Sequence, residues 1–244
     1  MSYSDNPGGR ELLGQRIHRL VFDIETAPHP RASEWLPVHK APGTYKDPIK
    51  IAEYVARKQA ETLDKAALDP DLGRIVAIGW FDESTATTAA AIAKTERQER
   101  NLLLKFWGQC FDRQLVGYNC LSFDLPYLLR RSDYLGVPVG RTFDLSPYSR
   151  RNDVVDLMLR LSLNGVLTRR SLAFHAARRG LVAADAISGK DVPACVANGD
   201  WSLVKKHVRA DVKVTVKLAR SMGVMPITNK RRIRGAFPST DQDD

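Results

Sequence analysis

Apolar residues dominate the stretch from Leu20 to Ile24, broken only by Asp23, and the chain turns polar after Thr26. A run this short and this apolar reads as a buried strand. Side chains on a strand alternate between its two faces, so Asp23 and Glu25 share one face while Leu20, Phe22 and Ile24 share the other and enter a core. Residues 74–80 read as a second strand, 85–93 as a weaker third, and 115–118 as a short strand before a loop that holds Asn119. Helical spacing appears near residues 49–67, 96–111, 124–134, 171–179 and 201–222. The last of these sets Val204, Val208, Asp211, Thr215 and Leu218 along one stripe at i+3/i+4, with His207 one turn before Asp211 on nearly the same face. Gly180 falls where a C-terminal cap would close the fourth helix. Asp124 stands where the third begins, with Pro126 in its first turn, and on local grounds is a good N-cap. Strands mixed with helices at this spacing imply an α/β layer architecture.

Acidic residues inside apolar patterns need a compensating partner. Two carboxylates side by side on a buried strand repel unless a cation or a shared proton neutralises them, and a carboxylate on the buried stripe of a helix costs several kcal/mol if left unpaired. Magnesium or manganese suits such a set, because hard ions take carboxylate oxygens, water and phosphate oxygens. Zinc would call for spaced His and Cys, and Cys110, Cys120 and Cys195 show no such spacing. Each residue also has a plainer reading. The first strand can end in solvent, Asp124 can be only a cap, and His207 with Asp211 can be a surface pair at i,i+4.

Taken together, Phe22-Asp-Ile-Glu-Thr26, Asn119-Cys-Leu-Ser-Phe-Asp124 and His207-Val-Arg-Ala-Asp211 resemble the three motifs of the DEDD superfamily of 3′-to-5′ exonucleases. More narrowly they are similar to the branch related to the proofreading exonuclease of family B DNA polymerases. Residues 67–79, 123–127, Asp156-Leu157, Ser171-Leu172 and Gly189-Lys190 sit where that branch has similar residues, and the likeness covers roughly 18–222 in order. It implies a ribonuclease-H-like fold, a mixed central sheet flanked by helices. It also implies two Mg2+ or Mn2+ ions held by Asp23, Glu25, Asp124 and Asp211, with Asp23 bridging both and Glu25 also orienting the attacking water. Thr26, Asn119, Phe123 and Lys190 would then contact substrate, and His207 would serve as catalytic base. Position 207 departs from the pattern: the polymerase-like branch has Tyr four residues before its last Asp, and the other large branch has His five before it. Imidazole can take a proton near neutral pH, whereas a phenol of pKa about 10 does so less readily. It is also shorter, so a role beside Asp211 or an exposed position stays open.

Composition adjusts this picture at its edges. The 244 residues carry a formal charge of +9, which favours polyanions such as nucleic acid, with a single-stranded 3′ end the substrate the resemblance implies. Lys205, Arg209, Lys213 and Lys217 recur every four residues on the last helix, with Arg169, Arg170 and Lys190 on the approach to it; they read equally as a solvated face or a phosphate track. Residues 1–17 are expected to be a flexible segment, 18–222 the exonuclease domain and 223–244 a basic then acidic tail containing Lys230-Arg-Arg-Ile-Arg234. No apolar stretch suits a signal peptide or membrane span, and three cysteines without a pairing pattern suit a reducing compartment, so a cytoplasmic protein is expected. Residues 27–49 read as a long loop that could border the site. His18, His29, His39 and His175 lack metal-ligand spacing. Two alternatives accompany the enzyme reading: a nucleic-acid-binding module with weak catalysis, and a nuclease subunit dependent on a replication or repair partner.

Overall fold

The computed structural model describes residues 18–146, 153–181 and 187–226. Five strands form one mixed sheet: β1 (Arg19–Pro28), β2 (Gly73–Asp82), β3 (Thr87–Ile92), β4 (Gln114–Gly117) and β5 (Val154–Asp156), in spatial order β3-β2-β1-β4-β5. β2 lies antiparallel to both β1 and β3, whereas β4 runs parallel to β1 and β5 parallel to β4. Among the described residues the helices are α1 (Pro48–Asp64), α2 (Glu96–Gln109), α3 (Asp124–Tyr134), α4 (Leu157–Leu161), α5 (Leu172–Arg178), α6 (Val192–Asn198) and α7 (Trp201–Ser221). This is the mixed sheet flanked by helices that the sequence implies. The tails at 1–17 and 227–244, including the Lys230–Arg234 cluster, lie outside the described residues.

The alternation expected of the first strand holds. Leu20, Phe22 and Ile24 pack with Leu102, Leu103 and Phe106 of α2 and Leu125 and Leu128 of α3 on one face of the sheet. Val21 and Ala27 pack on the other face against the α7 valines, Val212 and Val216 in one cluster and Val204 and Val208 in the next. Asp23 and Glu25 share the parity of Val21 and Ala27, so they belong to the α7 side. Between Glu25 and Thr26 the pairing skips Val76 of β2, a bulge of the kind that re-aims side chains near sites.

α7 can lie this close to the sheet because Gly79, the β2 residue paired with Asp23, has no side chain. A Cβ there would come within 2.9 Å of the Val208 carbonyl oxygen and of Val212 Cγ2. Real Cβ atoms do not approach so near, so glycine at 79 sets the distance between helix and carboxylates.

Several expectations shift. Asp124 does not cap α3: Phe123 occupies the cap position, no side chain caps the helix, and Asp124 is its first residue. The physical reason is a stronger demand elsewhere, since Asp124 Oδ1 accepts the Ile24 N–H at 3.2 Å. Within residues 27–49, His29 stacks on Trp35 and meets Glu96, while Tyr45 packs on Tyr54 of α1 and His39 meets Thr62. β5, α4 and α6 are elements the sequence pattern does not announce. Gly180 does close α5, with φ of +64° and its N–H on the Ala177 carbonyl.

Candidate active site

β4 pairs with β1 only as far as Val21 opposite Val116. Beyond that point the strands part, and the Ile24 N–H that would have met β4 turns to Asp124 Oδ1 instead. The opening between two parallel strands at their carboxyl ends is where open α/β sheets bind ligands, and here it brings three elements together: β1 with Asp23 and Glu25, α3 with Asp124, and α7 with His207 and Asp211.

Glu25, His207 and Asp211 place donor atoms all within 4.8 Å of one another. His207 Nε2 lies 3.3 Å from Glu25 Oε1, and both side chains are buried. The reading of His207 as an exposed residue is thereby excluded. Asp23 is half-buried beside them. Its carboxyl is pushed well above the usual range, first by burial and then by the charges of Asp124, Glu25 and Asp211. Asp124 is raised to about 7, chiefly by burial and against the pull of the Ile24 and Asp124 backbone N–H groups, with Asp156 adding further repulsion. Four carboxylates therefore feel one another as a single acidic cluster. Oxygen donors in this number, raised by their own repulsion, fit a hard divalent cation.

Asp156 is a further site residue, one whose role its sequence context conceals. Its carboxylate accepts the N–H groups of Asn119 and Leu121 at 3.0 Å each and those of Met158 and Leu159 at 2.9 and 3.2 Å. It thus caps α4 and braces the turn that carries Asn119, which adopts a left-handed φ of +61°. That turn delivers Phe123 and Asp124 to the site. Asn119 and Phe123 are both partly exposed, and the Phe123 ring lies 5.6 Å from that of Tyr127. Thr26, by contrast, is buried and turned to the opposite face, where it meets the Tyr127 hydroxyl. Lys190 is exposed next to Gly189, whose Cβ position would lie 4.0 Å from His207 Nε2.

The α7 cations fall elsewhere. Lys205, Arg209, Lys213 and Lys217 are all exposed and lie more than about 110° around the helix from Asp211, so they form its solvent face. A cavity of about 470 Å³ lined by His29, Trp35, Arg131 and Tyr134 contains none of the four carboxylates. Chemistry, not volume, locates the site.

Comparison with known proteins supplies a family and a fold. A family model described as a predicted 3′-5′ exonuclease related to the exonuclease domain of PolB matches residues 67–218, more than half of the chain. The chain belongs to this family. The matched span holds Asp124, His207 and Asp211 and opens after Asp23 and Glu25, which are joined to it through the pairing of β1 with β2. Among solved structures, the family B DNA polymerase from the hyperthermophilic archaeon Pyrobaculum calidifontis shares the fold, with a TM-score of 0.57 at 21% identity over 85% of this chain. The chain spans 25% of that polymerase's length. No curated protein sequence matches. Membership of an exonuclease family supports a nuclease hydrolase that binds nucleic acid. Among the described residues, no helix is long and apolar enough to cross a membrane.

Proposed function

We propose that the protein is a 3′-to-5′ exonuclease that hydrolyses phosphodiester bonds at the end of a single strand of DNA or RNA by a two-metal-ion mechanism. The observation that carries this reading is the convergence of Asp23, Glu25, Asp124 and Asp211 from three elements, with the carboxyl of Asp23 raised by its neighbours. A cluster so costly to assemble has little reason to exist without a cation. Asp23, Glu25, Asp124 and Asp211 would hold two Mg2+ or Mn2+ ions, which when bound supply a nucleophile at neutral pH and neutralise charge on the cleaved phosphate.

The chain's own groups do the positioning. Glu25 orients the attacking water, and His207 beside it takes the proton at Nε2, a role suited to an imidazole near neutral pH. Asn119 and Phe123 hold the terminal nucleotide, the Phe123 ring packing on base or sugar. Lys190 offers a cation to a phosphate from the rim, and Thr26, its side chain held by Tyr127, contributes through its main chain. Three buried cysteines, none in a disulfide, accord with a cytoplasmic setting.

A second reading, a nuclease subunit whose strand is presented by a replication or repair partner, is favoured by one fact: a structural neighbour is a polymerase of which this chain covers only 25%. The test for both is degradation of 5′-labelled and 3′-labelled single-stranded DNA and RNA with Mg2+ or Mn2+. The expected result is a ladder shortening from the 3′ end that Asp23→Ala abolishes. Nucleic-acid binding without cleavage under either metal would overturn autonomous catalysis and leave the partner-dependent reading.

A further inference from the structure

Residues 166–181, Val-Leu-Thr-Arg-Arg-Ser-Leu-Ala-Phe-His-Ala-Ala-Arg-Arg-Gly-Leu, hold four arginines and a histidine but no Asp or Glu. Arg169, Arg170, Arg178 and Arg179 are all exposed. Among the described residues none of the four enters an ion pair, whereas α1 and the turn before it carry Arg31–Glu34, Arg57–Glu61 and Lys58–Glu61 pairs. A solvated helix gains from mixed charges at i+3 and i+4 and loses from like ones. Four guanidiniums around a seven-residue helix, without an ion pair among the described residues, are therefore a charge arrangement that helix pairing does not reward.

Rings are interleaved with these cations. Phe174 is 44% exposed, large for a phenylalanine with no core role, and the Arg170 guanidinium lies 5.3 Å from its centroid. His175 meets Phe174 edge-on at 5.4 Å and stands 6.4 Å from Tyr118. Burial, then Arg179 and Arg170, hold the His175 imidazole below its usual range, so it is a neutral ring at pH 7. The Tyr118 hydroxyl donates to the Arg170 carbonyl, which ties the patch to the residue before Asn119. Leu172 and Leu181 seat the segment against the cluster that holds Val212 and Val216 of α7. The patch is thus joined to the turn that carries Asn119 and to α7.

We propose that this patch is the docking track for the single strand leaving the site, with its phosphates on Arg169, Arg170, Arg178 and Arg179 and a base on Phe174 and His175. The inference rests on the nucleic-acid reading of the carboxylate site and adds the path the strand takes beyond the reacting nucleotide. Cations that follow a backbone, joined to rings that stack on any base, are the chemistry of sequence-tolerant single-strand binding. An acidic protein segment would use the arginines but leave the exposed Phe174 ring without purpose.

The experiment is fluorescence anisotropy of the full chain with a labelled oligothymidylate of about 12 nucleotides, in EDTA so that nothing is cleaved, at several salt concentrations. The variants are Arg170→Gln/Arg178→Gln/Arg179→Gln and Phe174→Ala, all at exposed positions, with circular dichroism to confirm the fold. The triple variant is expected to bind at least tenfold more weakly and to flatten the log K against log salt slope by about 2, since each single-strand phosphate contact contributes about 0.7. Phe174→Ala is expected to weaken binding roughly fivefold or more. In Mn2+, KM for the long strand rises while turnover of a dinucleotide stays unchanged. Wild-type affinity and slope in both variants would overturn the track, as would loss of binding to polyglutamate without loss of binding to the oligonucleotide. If the wild type hydrolyses nothing yet the variants bind less, the track stands and the hydrolase reading fails; the reverse pattern separates them the other way.

Discussion

On the α2 and α3 side of the sheet, Glu99 is wholly buried and fully answered. It accepts Arg131 Nε at 2.8 Å and Nη2 at 3.0 Å, and the Ile75 N–H at 2.8 Å. On the α7 side, Asp23 lies with Glu25, Asp124 and Asp211, and its carboxyl is raised first by burial and then by their charges. One sheet thus carries two buried acidic sites treated in opposite ways. Where charge serves only the fold, the chain supplies both partners. At the second, the chain gathers like charges, with His207 Nε2 3.3 Å from Glu25 Oε1. A bidentate pair ties α2 to α3, while the acidic cluster, on the proposed reading, gives up stability in exchange for affinity toward a cation.

Breaking each side separately tests that contrast. The largest effect is expected at Asp23→Asn, which should lower hydrolysis by roughly a thousandfold or more while raising the thermal midpoint of the metal-free protein, because one repelling charge is gone. Activity and calorimetry on the same preparation check this, and a midpoint that falls would count against the cluster's being strained. Glu99→Gln should do the opposite. Leaving Arg131 buried and unpaired costs about 3–5 kcal/mol in urea unfolding, with turnover per folded molecule unchanged. Gly79→Ala lies between them: the new Cβ drives α7 off the sheet, costing about 1–3 kcal/mol and also lowering turnover as His207 and Asp211 retreat from Glu25.

A further effect is on pH dependence. Asp124, at about 7 in the fold, binds its proton more tightly than in the unfolded chain, where an Asp titrates near 3.9. Its contribution is therefore fully present below about pH 4 and is lost as pH rises through 7. Without divalent ions, the stability difference between wild type and Asp124→Asn should move in that direction across this window, and added Mn2+ should reverse it. A flat difference from pH 4 to 8 would show that Asp124 titrates normally.

Much of this was readable in the chain, and the reasons for success and failure are physical. Asp23 and Glu25 were legible because a period of two fixes which side chains share a face, and α3 and α7 because their apolar stripes are long. The plainer reading of Asp124 as a cap could not be set aside locally, since local sequence cannot reveal that β4 ends its pairing at Val116 and leaves the Ile24 N–H open. β5 is three residues long, too short for any periodicity, so Asp156 stood out only as one position of the family resemblance and its bracing role had no signal. The Glu99–Arg131 pair spans 32 positions and exists only once α2 meets α3. Gly79 reads as an ordinary strand glycine until the helix above it is seen.

The most direct measurement of the central claim is calorimetric titration of Mn2+ into the metal-free protein near pH 6.5, in two buffers of different ionisation enthalpy. The account predicts saturable binding of two ions with proton release, as cations expel protons from the raised carboxyls, and loss of that binding in Asp23→Asn. Absence of saturable binding, or the same isotherm in Asp23→Asn, would contradict it.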